Sequence, residues 1–202
     1  MKSISRDEQL LLFHPKNIML IVLMFGLSML FVALTIAYAY TRVTMKTAPV
    51  NVPPLFLLNT VVLLASSYTM ILAKKAYQND DTAAYQQHLL STVGLSAVFV
   101  SLQVATWYWL FQINALTLQS SNGVGYLYVI SLMHLLHVLA GLPFLLLFWQ
   151  KARKCMKEPV TVLVYFSDPE KRLKLRLLTL YWHFLDILWI YLVLFLGLLS
   201  VL

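Results

Sequence analysis

The side chains best suited to chemistry in this sequence are two polar pairs within apolar segments. His183 and Asp186 lie three residues apart, and His134 and His137 repeat that spacing earlier in the chain. Residues three apart on a helix share one face, so each pair presents its two groups together. Imidazole and carboxylate groups ligate metals, imidazole also ligates haem iron, and both relay protons or hydrogen-bond to each other. The spacing marks a candidate site whose chemistry depends on its surroundings.

Asp186 is the acidic residue in the most demanding position. It lies nine residues beyond Leu177, which is about 13 Å along a helix. That depth is inside the hydrocarbon of a bilayer, where a carboxylate costs about 3 kcal/mol or more. Asp186 must therefore face protein or water, and His183, one turn earlier, is its nearest candidate partner.

The composition identifies the elements that position these residues. Of the 202 residues, 60% are hydrophobic and 11% are charged, and the mean hydropathy is +0.77. A soluble domain carries about 25% charged residues, so the chain is an integral membrane protein. The single cysteine, Cys155, excludes a disulfide framework or a multi-cysteine metal centre within this chain.

Five apolar segments are long enough to cross a bilayer. They predict an all-α bundle of five transmembrane helices, forming a single membrane domain over residues 1–202. The first segment is too long for a signal-peptide core and lacks a small-residue cleavage site, which indicates a retained helix. A long basic loop is predicted at 150–176. The predicted spans are about 18–40, 55–73, 88–111, 124–149 and 177–200.

The distribution of positive charge predicts the orientation. The N-terminal tail and the second and fourth loops hold 3, 2 and 8 of the 15 lysine and arginine residues, whereas the first loop holds 2 and the third none. Cytoplasmic loops carry the excess of basic residues in membrane proteins. The N-terminus is therefore expected inside and the C-terminus outside. The same distribution points to membrane topology and not to nucleic acid as the reason for the net charge of +7.

Three interpretations of the two polar pairs stay open from the residues alone. If the last two spans are antiparallel neighbours, His134, His137, His183 and Asp186 form one buried polar cluster. The simplest interpretation is a hydrogen-bonded network that joins two helices. A proton path is the second, because an aspartate–histidine chain relays protons. A haem or metal site is the third, although three histidines and one carboxylate are few ligands for a di-iron oxygenase.

Other polar residues within the spans are expected to join helices. Small, hydroxyl and amide side chains let transmembrane helices approach and hydrogen-bond to one another. No Gly-x-Ser-x-Gly turn is present, so hydrolase chemistry finds no support. The residues concerned are Asn59, Thr60, Ser66, Ser67 and Thr69 in the second span and Gly94, Ser96, Ser101, Gln103 and Thr106 in the third.

Several of these stretches together resemble subunit III of haem–copper oxidases. Residues 181–189, YWHFLDILW, look like the signature of that family's last helix. Residues 134–141 are similar to its Gly-Leu-His-Val-x-x-Gly region, and residues 52–67 resemble its Pro-Leu-Leu-Asn-Thr-x-x-Leu-Leu-x-Ser helix. Residues 94–103 fit the helix that follows. The matches keep the family's order across residues 18–202.

The resemblance implies that the signature residues serve in helix packing and that the chain supplies no catalytic residue. Seven-helix members begin with two further helices, so the shorter five-helix form is expected here. A glutamate that the family often carries in the first helix of the five-helix core has no counterpart near 26–28. The signature packing positions are Asn59, Thr60, Gln103, Gly141, Trp182 and Trp189.

The implied function is that of the accessory subunit III of an aerobic respiratory terminal oxidase, a cytochrome c oxidase. In that family haem and copper reside in subunits I and II, and subunit III holds no redox centre. It binds phospholipid, braces subunit I, and supports proton uptake and turnover stability. The expected partners are oxidase subunits I and II and membrane lipids. A larger respiratory supercomplex is compatible with this role, and no nucleic-acid partner is expected. The expected location is the bacterial cytoplasmic membrane.

Two alternatives remain from the sequence. Subunit III of a quinol oxidase has the same five-helix form, although Asn59 and Thr60 favour cytochrome c as the electron donor. A haem- or metal-binding membrane enzyme built on the His/Asp cluster is the alternative from a different class.

Overall fold

The computed structural model describes residues 15–45, 53–112, 122–156 and 158–201, and nearly all of them are helical. Parts of the predicted topology fall elsewhere in the chain. The polar tail with Lys2 and Arg6, most of the first loop with Lys46, and the uncharged third loop lie outside the described residues.

Five helices in the described part of the chain are long and apolar enough to cross a membrane, which confirms the prediction of an all-α protein with five such spans. Each runs past the predicted apolar core, because a helix satisfies its own backbone hydrogen bonds and continues into the interfacial region. One further helix, α5, is short and lies between α4 and α6 in the chain. The helices are α1 Pro15–Met45, α2 Pro54–Gln78, α3 Thr82–Gln112, α4 Asn122–Cys155, α5 Pro159–Ser167 and α6 Pro169–Val201.

The segment predicted as a basic loop, 150–176, is instead largely helical. Helix α4 extends to Cys155, and α5 and α6 follow after short breaks. Both later helices begin with proline, whose fixed φ and missing N–H suit the first helical position. Asp168 caps α6, because its Oδ1 accepts the backbone N–H of Glu170 at 2.9 Å. The basic residues that the structure describes in this segment therefore lie on helices α4 and α6 and are not dispersed on a loop.

Helices α2 and α3 form a tight antiparallel hairpin. Asp80 turns the chain with a φ of 55°, in the left-handed region that aspartate tolerates better than most residues. Asp81 then caps α3, because its Oδ1 accepts the backbone N–H of Ala84 at 3.0 Å. The hairpin brings Thr69 and Thr92 together, with their hydroxyl oxygens 2.9 Å apart.

Helices α4 and α6 occupy the centre of the bundle. Helix α4 packs against α1, α3 and α6, and helix α6 packs against α1, α2 and α4. Because α6 is the last helix, its contact with α2 joins segments far apart in sequence. The last two spans are therefore neighbours, which was the condition for a single polar cluster, because α4 packs against α6.

Two groups of buried side chains fill the bundle. The first lies along most of its length and includes Phe31, Phe56, Phe99 and Trp189. The second lies where α2 ends and α3 and α6 begin, and it includes Met70, Leu145 and Trp182 together with three tyrosines. Those tyrosines are Tyr77, Tyr85 and Tyr165, with the Tyr77 hydroxyl donating to the Tyr165 carbonyl at 3.1 Å.

Gly141 is the glycine whose lack of a side chain matters most for packing. A Cβ there would lie 3.0 Å from Tyr181 Cε1 and 3.2 Å from Trp182 Cζ3. Neither ring is free to retreat, because the Tyr181 hydroxyl donates to the His137 carbonyl and the Trp182 indole donates to Ser66 Oγ. Close approach of α4 and α6 therefore requires glycine at this position.

We expect Gly141→Ala to destabilise the bundle by about 1–3 kcal/mol, the usual cost of overpacking a filled core. Gly94→Ala is the matched control, because a Cβ at Gly94 meets nothing within 4 Å. Thermal unfolding of the purified protein in detergent compares the two variants. Equal midpoints for Gly141→Ala and Gly94→Ala would contradict the close α4–α6 contact.

Candidate functional site

The contact between α2 and α6 is organised by three side-chain hydrogen bonds, which we call the α2–α6 ladder. Trp189 Nε1 donates to Thr60 Oγ1 at 3.1 Å, and Trp182 Nε1 donates to Ser66 Oγ at 3.1 Å. The third bond joins the His183 ring, through Nδ1, to Ser67 Oγ at 2.6 Å. From the Trp182–Ser66 bond to the Trp189–Thr60 bond, the residue numbers increase along α6 and decrease along α2, so the two helices are antiparallel. The sequence placed Thr60, Trp182 and Trp189 in helix packing without naming their partners.

The α2–α6 ladder contributes modestly to the free energy of folding, and its main effect is to fix the register of α6 against α2. Interhelical hydrogen bonds in bilayers contribute about 0.6 kcal/mol on average, so three contribute about 2 kcal/mol. If α6 rotated or slipped, two indole N–H groups would lie in hydrocarbon with no hydrogen-bond acceptor, because no water is present there. The α2–α6 ladder therefore fixes which faces of the two helices meet.

His183 and Asp186 lie together beside this ladder. His183 Nδ1 is 3.8 Å from Asp186 Oδ2, which is longer than a hydrogen bond. The Asp186 side chain is 6% exposed and that of His183 is 29% exposed. Neither carboxyl oxygen of Asp186 has a hydrogen-bond partner among the described residues. Asp186 thus faces the protein interior, as its depth in the membrane requires.

His134 and His137 occupy different surroundings from the α6 pair. His134 is fully buried among aromatic rings, with centroids 5.0 Å from Trp189 and 6.0 Å from Phe99. Neither of its ring nitrogens has a hydrogen-bond partner in the part of the chain that the structure describes. His137 Nδ1 bonds to the carbonyl of Met133, one turn earlier on its own helix. No hydrogen bond among the described residues links either histidine to the α6 pair.

This arrangement separates the four polar residues into an α6 pair and two α4 imidazoles, of which His137 bonds to its own backbone and His134 lies among aromatic rings. No group of three histidine, cysteine or carboxylate side chains converges in a metal-binding geometry within the described ranges. The polar groups contact neighbouring helices or their own backbone. Such a set of contacts holds helices in register.

Two further signature positions meet between α2 and α3. Asn59 Nδ2 donates to Gln103 Oε1 at 2.9 Å, and both side chains are fully buried. Asn59 Oδ1 and Gln103 Nε2 have no partner among the residues described. A buried amide pair joins two transmembrane helices where apolar surfaces alone give little preference for register.

Three tyrosines cluster at one end of the bundle, which was not predicted from the sequence. Tyr85 and Tyr165 are 0% and 2% exposed, and Tyr77 lies edge-on to both rings. Lys171 Nζ lies 4.4 Å from the centroid of the Tyr165 ring. The signal in the sequence was the uncharged, mostly apolar run at 159–167, which lies within the segment predicted as a basic loop.

Comparison with known proteins gives these contacts a family setting. A family model described as cytochrome c oxidase subunit III matches residues 9–200. Cytochrome c oxidase subunit 3 of Synechocystis is 28% identical over 184 residues, which cover 88% of this chain and 73% of that protein. The subunit 3 of Thermostichus vulcanus is 25% identical over 134 residues, covering 66% of this chain and 60% of that protein.

The animal relatives are longer. Cytochrome c oxidase subunit 3 of Papio hamadryas is 30% identical over 146 residues, covering 71% of this chain and 49% of that protein. The chain thus spans about half the length of this relative. The match over residues 9–200 includes all five long helices, the α2–α6 ladder and the Asn59–Gln103 pair. The chain belongs to the cytochrome c oxidase subunit III family.

Proposed function

We propose that this chain is the accessory subunit III of an aerobic respiratory cytochrome c oxidase, bracing subunit I and supporting its stability during turnover. The observation that carries the proposal is the family match over residues 9–200. The packing of signature residues supports it, because Asn59, Gln103, Trp182 and Trp189 engage other helices of this chain. Side chains that hydrogen-bond to other helices of the same chain are typical of a rigid scaffold.

The proposed division of labour leaves oxygen reduction to the partner subunits. Haem and copper would reside in subunits I and II, which take electrons from the donor and reduce oxygen to water. The described side chains of this chain supply helix packing, an apolar surface for lipid and partner helices, and a basic face at one end. We place that basic face, and the N-terminus, on the cytoplasmic side of a bacterial membrane, following the charge distribution.

The outer surface of the bundle supports a role among lipids and partner helices. Helix α1 exposes large apolar side chains, such as Met19 at 70% and Ile36 at 63%. A groove of about 260 Å³ between α1 and α6 is lined by Phe31, Phe184 and Tyr191 among others. Acyl chains or a neighbouring transmembrane helix would cover such surfaces in a bilayer.

We expect the chain to co-purify from mild detergent with a larger haem-containing subunit. A tagged chain should carry along a Soret absorption that is lost when harsher detergent separates the subunits. Recovery of a stable, folded monomer from native membranes with no such partner would count against the proposal. A Soret band that stays with the separated chain would support a haem-binding membrane enzyme instead.

We expect His183→Ala to impair assembly and to leave electron transfer intact. The change removes the partner of Ser67 and the nearest polar neighbour of Asp186, and leaving a buried polar group unpaired costs about 1–3 kcal/mol. The matched control is His88→Ala, because His88 lies in α3 and takes no part in the α2–α6 ladder. Subunit content per haem should fall in His183→Ala and hold in the control.

Turnover per haem separates the alternatives for His183. In complexes that retain the subunit, the initial rate should match that of the unmodified protein. A fully assembled, equally long-lived complex with a lowered rate would contradict the structural role and would favour a proton path through the His/Asp pair.

We expect removal of this subunit to leave haem and copper spectra unchanged and to shorten the catalytic lifetime of the oxidase. Initial oxygen reduction should persist, followed by faster inactivation and slower proton uptake at high pH. The proton effect should be the weaker one, because residues 26–28 carry no carboxylate. Spectra and activity decay, recorded before and after stripping, test this. Loss of a cofactor, or an unchanged lifetime, would refute it.

A further inference from the structure

A cavity of about 510 Å³ opens at the end of the bundle where α2 ends and α6 begins, and we call it the basic cavity. Its apolar walls include Tyr77 and Phe166. It is separate from the α2–α6 ladder, and no residue of the family signature lines it. Its volume accommodates a phosphate group with part of the molecule that carries it.

Three cations line the basic cavity. Lys74 comes from the last turns of α2, and Arg172 and Arg176 lie one turn apart on α6. None of the three forms an ion pair with a carboxylate in the described ranges. Like charges four residues apart on a helix repel each other, so an anion placed between them is favoured.

The two carboxylates at the start of α6 are already engaged with other lysines. Glu170 pairs with Lys16 at 2.7 Å and with Lys174 at 3.0 Å. Asp168 is the one carboxylate in the cavity wall, and its Oδ2 lies 3.5 Å from Lys171 Nζ. The wall therefore keeps an excess of positive charge that no described residue neutralises.

Helix α5 indicates the depth of the cavity in the membrane. Leu163 and Val164 are 71% and 61% exposed, whereas the adjacent Tyr165 is 2% exposed. Helix α5 connects the end of α4 to the start of α6, so it lies at the end of the five long spans and not within them. In a bilayer the ends of the spans meet the lipid headgroups, and the basic cavity at this end faces both headgroups and the aqueous side.

We propose that Lys74, Arg172 and Arg176 form a binding site for a phosphate-bearing anion in the basic cavity. Guanidinium groups bind phosphate oxygens through paired, charge-assisted hydrogen bonds, and the lysine adds a third positive charge. The phosphate can come from an anionic lipid headgroup or from a soluble phosphate compound. The lipid source deepens the lipid role in the proposed function and rests on it, whereas the soluble source does not.

The test measures binding to the purified complex that contains this chain. Phosphatidylglycerol in mixed micelles and inorganic phosphate are the two probes, and occupancy is read by native mass spectrometry. The double variant Arg172→Gln/Arg176→Gln changes exposed side chains and should retain the fold. Lys75→Gln is the matched control, since Lys75 is exposed, adjacent to Lys74 and absent from the cavity wall.

Each neutralised cation should weaken binding about fivefold, so the double variant should lose about 25-fold while Lys75→Gln keeps its affinity. Phosphatidylglycerol binding that withstands millimolar inorganic phosphate and is lost in the double variant identifies a lipid site. Phosphate binding lost in the same variant, without lipid competition, identifies a soluble ligand. Equal binding of both probes by the double variant and the control would overturn the proposal.

The readout is occupancy and not oxygen reduction. A cavity that binds neither probe would overturn the proposed anion site and leave the proposed oxidase role untouched. Absence of haem-containing partners would refute that role, while the comparison of double variant and control would still report on the cavity.

Discussion

A side-chain N–H in the hydrocarbon of a bilayer has no water to donate to, and the indoles of α6 meet this constraint by donating to hydroxyls of α2. Trp189 and Trp182 bond to Thr60 and Ser66. Similar bonds join other helices, between Thr35 and Tyr191 of α1 and α6, and between Trp107 and Ser131 of α3 and α4. Apolar packing is nearly indifferent to rotation within lipid, so these polar contacts determine the arrangement of the helices.

Much of this arrangement follows from sequence, and the remainder depends on distances that sequence does not contain. Five apolar runs determine five helices, because lipid admits no other open backbone structure. The one-turn spacing of His183 and Asp186 placed them on one face. The link from His183 to Ser67 could not be read in advance, since it requires the rotation of α2 against α6. The helices within 150–176 were not predicted, because the basic residues indicated a loop and the prolines that begin α5 and α6 were not read as helix starts.

The buried polar groups differ in how fully they are satisfied. The indoles of α6 have good acceptors, whereas Asn59 and Gln103 share one bond and each leaves an atom unpaired. His134 has only aromatic rings around it, and Asp186 has His183 at 3.8 Å. All of these groups face the interior of the bundle, and those that are hydrogen-bonded join helices of this chain to one another. The outer, apolar surface is left for lipid and partner subunits.

The α2–α6 ladder joins residues more than a hundred positions apart, and this separation constrains the order of events during synthesis. Helix α2 enters the membrane long before the ribosome has produced α6. In the interval Thr60 can bond to the carbonyl of Phe56, a contact it keeps in the finished protein at 2.8 Å. Its oxygen remains able to accept the indole of Trp189. The bundle can therefore close only after translation of its last helix, and a truncated nascent chain would leave α2 facing lipid with its acceptors unfilled.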